Sequence, residues 1–221
     1  MTSYDMRQTK IASKYESIPR MNTDDCLNTL TRIGEKWTGQ GVAMELGCWL
    51  GASSVALLKG LNKAGYDKPF YAFDRWKANA QQVREGWEFV TSIGQNLLPQ
   101  YRKNIHPYIN KLVHHKGKLP EILETADLSD VLIEVLVLDA PKSEPVYTAC
   151  IRALHKHWIP GVTILCLLDY NFYQRKEGVE REKLLAPVNF MIRNEGCFSS
   201  IHQKEGESAA FFRYEKPLKE I

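Results

Sequence analysis

Apolar positions along the chain change period several times. Cys26, Leu27, Leu30 and Ile33 recur at helical spacing behind Thr23-Asp24-Asp25, a capping sequence, so residues 1–40 read as a helical lead-in. Val42-Ala-Met-Glu45 then forms a short buried strand. It runs into a glycine-containing turn, and from Ser53-Ser54 a helix carries Val55, Leu57, Leu58 and Leu61 to a stop at Gly65. Pro69 to Asp74 is a second strand, Leu112 to Lys116 a third, Val131 to Asp139 a fourth and Val162 to Leu168 a fifth. The near-continuous aliphatic run of the fourth fits a strand covered on both faces. Short helical stretches follow at Leu119 to Leu123 and Val146 to Trp158, and a longer one at Glu177 to Asn194. Cys197 to Gln203 and Ala209 to Tyr214 alternate about the turn Lys204-Glu-Gly-Glu, which predicts a terminal antiparallel pair.

Strand and helix repeated in this way predict an α/β fold, a Rossmann-like, doubly wound and mostly parallel sheet ending in an antiparallel hairpin. The segment from Arg75 to Asn110 interrupts the alternation. It is aromatic and basic, punctuated by Gly86 and Gly94 and broken by Pro99 and Pro107. Either it is a lid over a ligand, with Trp76 stacking on a base, or it is a small helical layer with its own aromatic core. No second core is visible in the pattern, so residues 41–221 read as the ligand-binding part of a single domain.

Composition narrows the class. With 221 residues and 44% hydrophobic content the chain has enough apolar material for one large α/β core. A net charge of +3 from 29 basic and 26 acidic residues, evenly spread, argues against nucleic acid and against a polybasic membrane patch. The start of the chain lacks the apolar run of a signal peptide, and no apolar stretch approaches a bilayer span. Five cysteines, an odd number without a CxxC pair, fit a reducing compartment and make a zinc site improbable; the cytoplasm is the expected location.

The candidate chemistry sits after the first strand, in Glu45-Leu-Gly47-Cys48-Trp49-Leu50-Gly51-Ala-Ser53-Ser54. Glycines permit close backbone approach, and a helix starting there offers N–H groups to an anion. On this expectation a ligand carboxylate meets the helix start and the hydroxyl of Ser53 or Ser54, Glu45 meets an amino group, and Asp74 accepts from both ribose hydroxyls. The spacing is not GxGxxG, and no Gly-Lys-Ser/Thr follows, which weakens dinucleotide and ATP binding. The simpler alternative is that Gly47 and Gly51 only make a tight strand-to-helix turn.

These residues resemble the first motif of class I S-adenosylmethionine (SAM)-dependent methyltransferases, and within them the macrocin-type sugar O-methyltransferases. Phe73-Asp74, Gly117-Lys118-Leu-Pro-Glu-Ile-Leu123, Leu136-Val-Leu-Asp139, Tyr147, Ile159-Pro-Gly161 and Leu168-Asp169-Tyr170 continue the resemblance in order over about residues 40 to 175. It implies SAM as cofactor, held by Glu45, Gly47, Cys48, Trp49, Gly51, Ser53, Ser54, Asp74, Arg75, Gly117 and Lys118. It also implies a small-molecule or saccharide hydroxyl as methyl acceptor, with homo-oligomers common among relatives.

The departures are informative. The family's Asp-Gly-Asp is here Asp139-Ala140-Pro141, so the position of its general base is a proline. Its Asp-Asp-Tyr is here Leu168-Asp169-Tyr170, so one Mg²⁺ ligand has become leucine. Asp139 and Asp169 remain as candidate catalytic and metal-binding residues; two carboxylates hold Mg²⁺ only together with several waters. Lys142 is a candidate base if burial lowers its pKa. Two other functions stay open: a SAM- or nucleoside-binding protein without transfer activity, and a metal-independent methyltransferase with a different acceptor atom.

Overall fold

The computed structural model describes residues 18–87 and 89–221; the first part of the expected helical lead-in lies outside them. Seven strands form one sheet in the order β3-β2-β1-β4-β5-β7-β6: β1 (Val42–Leu46), β2 (Phe70–Asp74), β3 (Leu112–Lys116), β4 (Ile133–Leu138), β5 (Ile164–Leu167), β6 (Phe198–Gln203) and β7 (Ala210–Tyr214). The first five pair in parallel, whereas β7 runs antiparallel to both β5 and β6. The chain leaves β1 in one direction, toward β2 and β3, and later in the other, toward β5. The switch point therefore lies between the ends of β1 and β4, where such sheets bind ligands.

Helices cover both faces. On one side lie α1 (Asp24–Glu35), α2 (Ala52–Lys63) and α4 (Leu98–Ile105), preceded by the one-turn α3 (Ala80–Arg84); on the other lie α5 (Glu121–Glu124), α6 (Glu144–Leu154) and α8 (Ala186–Arg193), with α7 (Gly178–Lys183) before it. Thr23 caps α1 by accepting from the Cys26 N–H, as its sequence predicts. All of β4 is buried, in keeping with its aliphatic run. α2 is buried nearly all round because it lies between the sheet and α1, whose Thr31 hydroxyl donates to the Ala56 carbonyl at 2.9 Å.

Three elements differ from expectation. The helix expected over 177–194 is two helices, because Pro187 in the first turn of α8 cannot continue α7. The helix expected to reach Trp158 ends at Leu154 and tightens into a 3₁₀ turn, where His157 Nδ1 lies 2.8 Å from the Val131 carbonyl. In β3, alternation along the strand would bury one of His114 and His115 and expose the other, and neither happens. β3 is an edge strand and both are half-buried, His115 stacked on Phe73 at 4.7 Å and His114 edge-on to Trp76 at 6.0 Å.

Candidate active site

The turn after β1 is built on a buried acid. Glu45 is fully buried, and the hydroxyls of Ser53 and Ser54 donate to its two carboxylate oxygens. Burial pushes its carboxyl up to about 7, against the opposing pull of the two serines. Removing a carboxylate from water is costly unless donors replace that water, and the serines are those donors. The Ser54 hydroxyl also lies 3.4 Å from that of Tyr101 on α4. Thus Glu45, Ser53 and Ser54 do not open toward a ligand's amino and carboxylate groups as expected. They form an internal polar core, because α4 lies over the first turn of α2.

The glycines follow the same logic. Gly47 has φ +95°, and a Cβ there would come within 2.6 Å of the Ala140 nitrogen. A Cβ on Gly51 would meet Ile105 and Tyr101 at 3.0 Å. Both positions require glycine because another segment of the chain packs against them. Cys48, also expected at the cofactor, is buried beneath the turn with its Sγ 3.6 Å from the Glu45 carbonyl.

Asp74, at the end of β2, ties the turn to the next segment. One carboxylate oxygen accepts from the N–H groups of Cys48 and Trp49 at 2.8 and 3.0 Å, and the other from that of Trp76. Trp49 and Trp76 have φ of 43° and 42°. Such left-handed conformations cost about 1 kcal/mol or more each, and the bonds to Asp74 hold them in place. A carboxylate offers about four acceptor sites. Three are taken, so Asp74 has room for one further donor rather than for both ribose hydroxyls. Trp76 is wholly buried against Tyr101, ring centroids 5.0 Å apart, and Trp49 meets Trp87 edge-on at 5.2 Å. The segment 75–110 is therefore a helical layer with an aromatic core, and Trp76 is not free to stack on a base.

Above this packed turn is a cavity of about 230 Å³, bordered by Asp74, Arg75, Gly117, Lys118, Ala140 and Val146. Four of the expected cofactor residues meet here. The Gly117 N–H donates to the Asp74 carbonyl at 3.0 Å, which joins the loop after β3 to the end of β2. Ala140 and Val146 were not foreseen, although both follow β4, whose end lies at the switch point. The volume is below the ~300–1,000 Å³ of whole ligand pockets and suits one moiety of a larger ligand, such as a nucleoside.

A second group of polar residues lies on the other side of Ala140. Asp139 follows β4, Asp169 follows the adjacent β5, and the Lys142 ammonium forms an ion pair with Asp169. Burial raises the Asp139 carboxyl pKa, the charge of Asp169 adds to the effect, and Lys142 opposes it. Partial burial works against the charge of Lys142, but Asp139 and Asp169 outweigh it and hold the ammonium above the usual lysine range. A lysine base needs the opposite shift and a free amine, whereas this ammonium is engaged by Asp169. A cavity of about 20 Å³ is bordered by Asp139, Pro141, Lys142, Tyr147, Asp169 and Tyr170, and the buried Tyr147 hydroxyl has no hydrogen-bond partner among the described residues.

The metal implied by the family pattern does not fit these residues. Mg²⁺ requires near-octahedral oxygen coordination. Two carboxylates are present, Leu168 is buried at the third position, and an ammonium is already bound to Asp169. Among the described residues no group of three or more His, Cys, Asp or Glu side chains is placed to hold a metal ion. Nor, among those residues, is any helix long and apolar enough to cross a membrane.

A doubly wound sheet with a nucleoside-sized cavity at its switch point and a carboxylate pair beside it defines a Rossmann-like, ligand-binding α/β protein. A family model described as a methyltransferase domain matches residues 44–166, more than half of the chain, and the chain belongs to that family. No curated protein sequence matches it. Solved structures share the fold at low identity. The O-methyltransferase NovP is 14% identical with a TM-score of 0.63, over 86% of this chain and 79% of that one. CalS11, a TDP-rhamnose 3'-O-methyltransferase of calicheamicin biosynthesis, is 12% identical with a TM-score of 0.59, over 90% and 83%. TomG, an O-methyltransferase from Streptomyces achromogenes solved in complex with SAM, is 12% identical with a TM-score of 0.54, over 97% and 100%.

Proposed function

We propose that this methyltransferase moves a methyl group from SAM to a hydroxyl oxygen of a small molecule or saccharide. The observation that carries the proposal is the shared wall Asp139-Ala140-Pro141: Ala140 borders the cavity beside Asp74, while Asp139 and Pro141 border the polar group beside Asp169. A donor bound on one side and an acceptor on the other would be held end to end. Methyl transfer is an in-line displacement, so such positioning supplies much of the acceleration. When bound, SAM supplies an electrophilic methyl group. Asp74, with its one remaining acceptor site, would take a ribose hydroxyl, and Arg75 and Lys118 would flank the nucleoside.

The acceptor hydroxyl must lose a proton as it is methylated. Pro141 has no group to take it, and Lys142 is already charged. Asp139 is the neighbouring carboxylate, made more basic by burial and by Asp169. The similarity in fold to NovP, CalS11 and TomG supports a hydroxyl acceptor.

Calorimetry with SAM and its demethylated product S-adenosylhomocysteine (SAH) tests the reading. The chain is expected to bind both, and Asp74→Ala to weaken SAH by about ten-fold or more, since one hydrogen bond to a charged group is worth about 1.5–3 kcal/mol. If neither compound binds, the proposal fails. Binding without turnover over a panel of sugars and phenols would favour the non-catalytic alternative, for which Pro141 is the motivating residue.

A further inference from the structure

We propose that Lys142 is the resident cation of the acceptor side: its ammonium compensates Asp139 and Asp169, occupies the place a divalent ion would need, and leaves methyl transfer independent of metal. The inference takes the reaction from the proposed function, but its claim about metal binding stands on the protein alone.

Asp139 and Asp169 follow β4 and β5, which pair in parallel with Leu138 opposite Leu167. Neighbouring strands are about 4.8 Å apart; Asp139 lies one residue past β4 and Asp169 two residues past β5, and the two carboxylates border the same small cavity. Like charges so placed require a counter-charge. Lys142 lies three residues beyond Asp139 on the same loop, and its Nζ is bonded to Asp169. A tethered cation is present at every metal concentration, and a divalent ion would have to displace it.

Two further features work against the divalent ion. The side chain at 168 is leucine, 1% exposed, and its N–H is bonded to the Leu138 carbonyl, so this position directs no side-chain oxygen at the pair. The space beside the pair is about 20 Å³. The waters that Mg²⁺ retains when two carboxylates bind it would have to lie on the solvent side of the pair, where the Lys142 ammonium sits. Lys142 is thus a charge-compensating and positioning residue, and it leaves Asp139 and Asp169 oriented without an ion.

Mn²⁺ is a suitable probe because it takes the same oxygen ligands as Mg²⁺. Its binding to the full-length chain is followed by the loss of the free-ion electron paramagnetic resonance signal. The wild type is expected to leave the signal unchanged at low millimolar concentrations. Lys142→Ala should bind Mn²⁺ about ten-fold tighter or better, because one nearby positive charge has been removed from a two-carboxylate site. Lys142→Arg should behave as the wild type, and adding Asp169→Asn to Lys142→Ala should abolish the gain. Wild-type binding that Asp169→Asn removes would overturn the proposal, as would a Lys142→Ala variant no tighter than the wild type. SAH calorimetry with and without EDTA, expected to give the same affinity, separates the two readings. Absence of SAH binding defeats the proposed function, whereas the Mn²⁺ result decides the role of Lys142 independently.

Discussion

The two halves of the sheet's carboxyl edge use their acids in different ways. At the ends of β1 and β2, Glu45 and Asp74 are occupied by groups of the protein itself: two serine hydroxyls for one, three backbone N–H groups for the other. At the ends of β4 and β5, Asp139 and Asp169 border one small cavity and the Lys142 ammonium pairs with Asp169, with the Lys142 and Asp169 side chains 47% and 24% exposed. The first half is satisfied internally except for one acceptor site at Asp74, and it shapes a surface. The second keeps charge at the rim, where a ligand can reach it. An acid-and-glycine turn is thus a mark of this architecture before it is a list of ligand contacts.

The largest expected effect that probes this contrast is Trp76→Ala. Removing a fully buried tryptophan from the aromatic layer should cost about 3–5 kcal/mol in urea unfolding. Loss of SAH affinity at unchanged stability would instead make Trp76 a ligand contact.

Glu45→Gln comes next. The Glu45 carboxyl is raised from 4.5 to about 7 in the folded chain. A raised folded value means that its contribution to stability is fully present below about pH 4.5 and is lost as pH rises through 7. At 1.36 kcal/mol per unit this amounts to about 3 kcal/mol, so stability relative to Glu45→Gln should fall by that amount between pH 4.5 and 8. Parallel stability curves for the two proteins would show that the carboxyl is not perturbed. The smallest effect is expected for Asp169→Asn, below about 1 kcal/mol in thermal unfolding, because a half-exposed ion pair contributes little. A larger loss would make the rim structural and remove the contrast.

Much of the fold was legible in the sequence. Strand-length aliphatic runs, the Thr23 cap and the alternation around Lys204 predicted every strand and the antiparallel end. Of the site, the resemblance identified Asp74, Arg75, Gly117 and Lys118, which do meet at one cavity. That Glu45, Ser53 and Ser54 bond to one another beneath α4 was not legible, because nothing local announces that α4 will cover the start of α2. Tyr101 and Ile105, which do the covering, are some fifty residues away in a segment whose role the pattern left open. Lys142 was visible as a residue, but the direction of its pKa shift depends on two carboxylates converging from separate strands.

What the sequence by itself determined is the order of elements, the sheet they make and the family, since period, capping and turn chemistry are local. What only the tertiary structure decided is which polar groups face inward and which face a ligand. That division depends on distances between segments remote in the chain: Gly47 against Ala140, Gly51 against Tyr101, and Lys142 against Asp169.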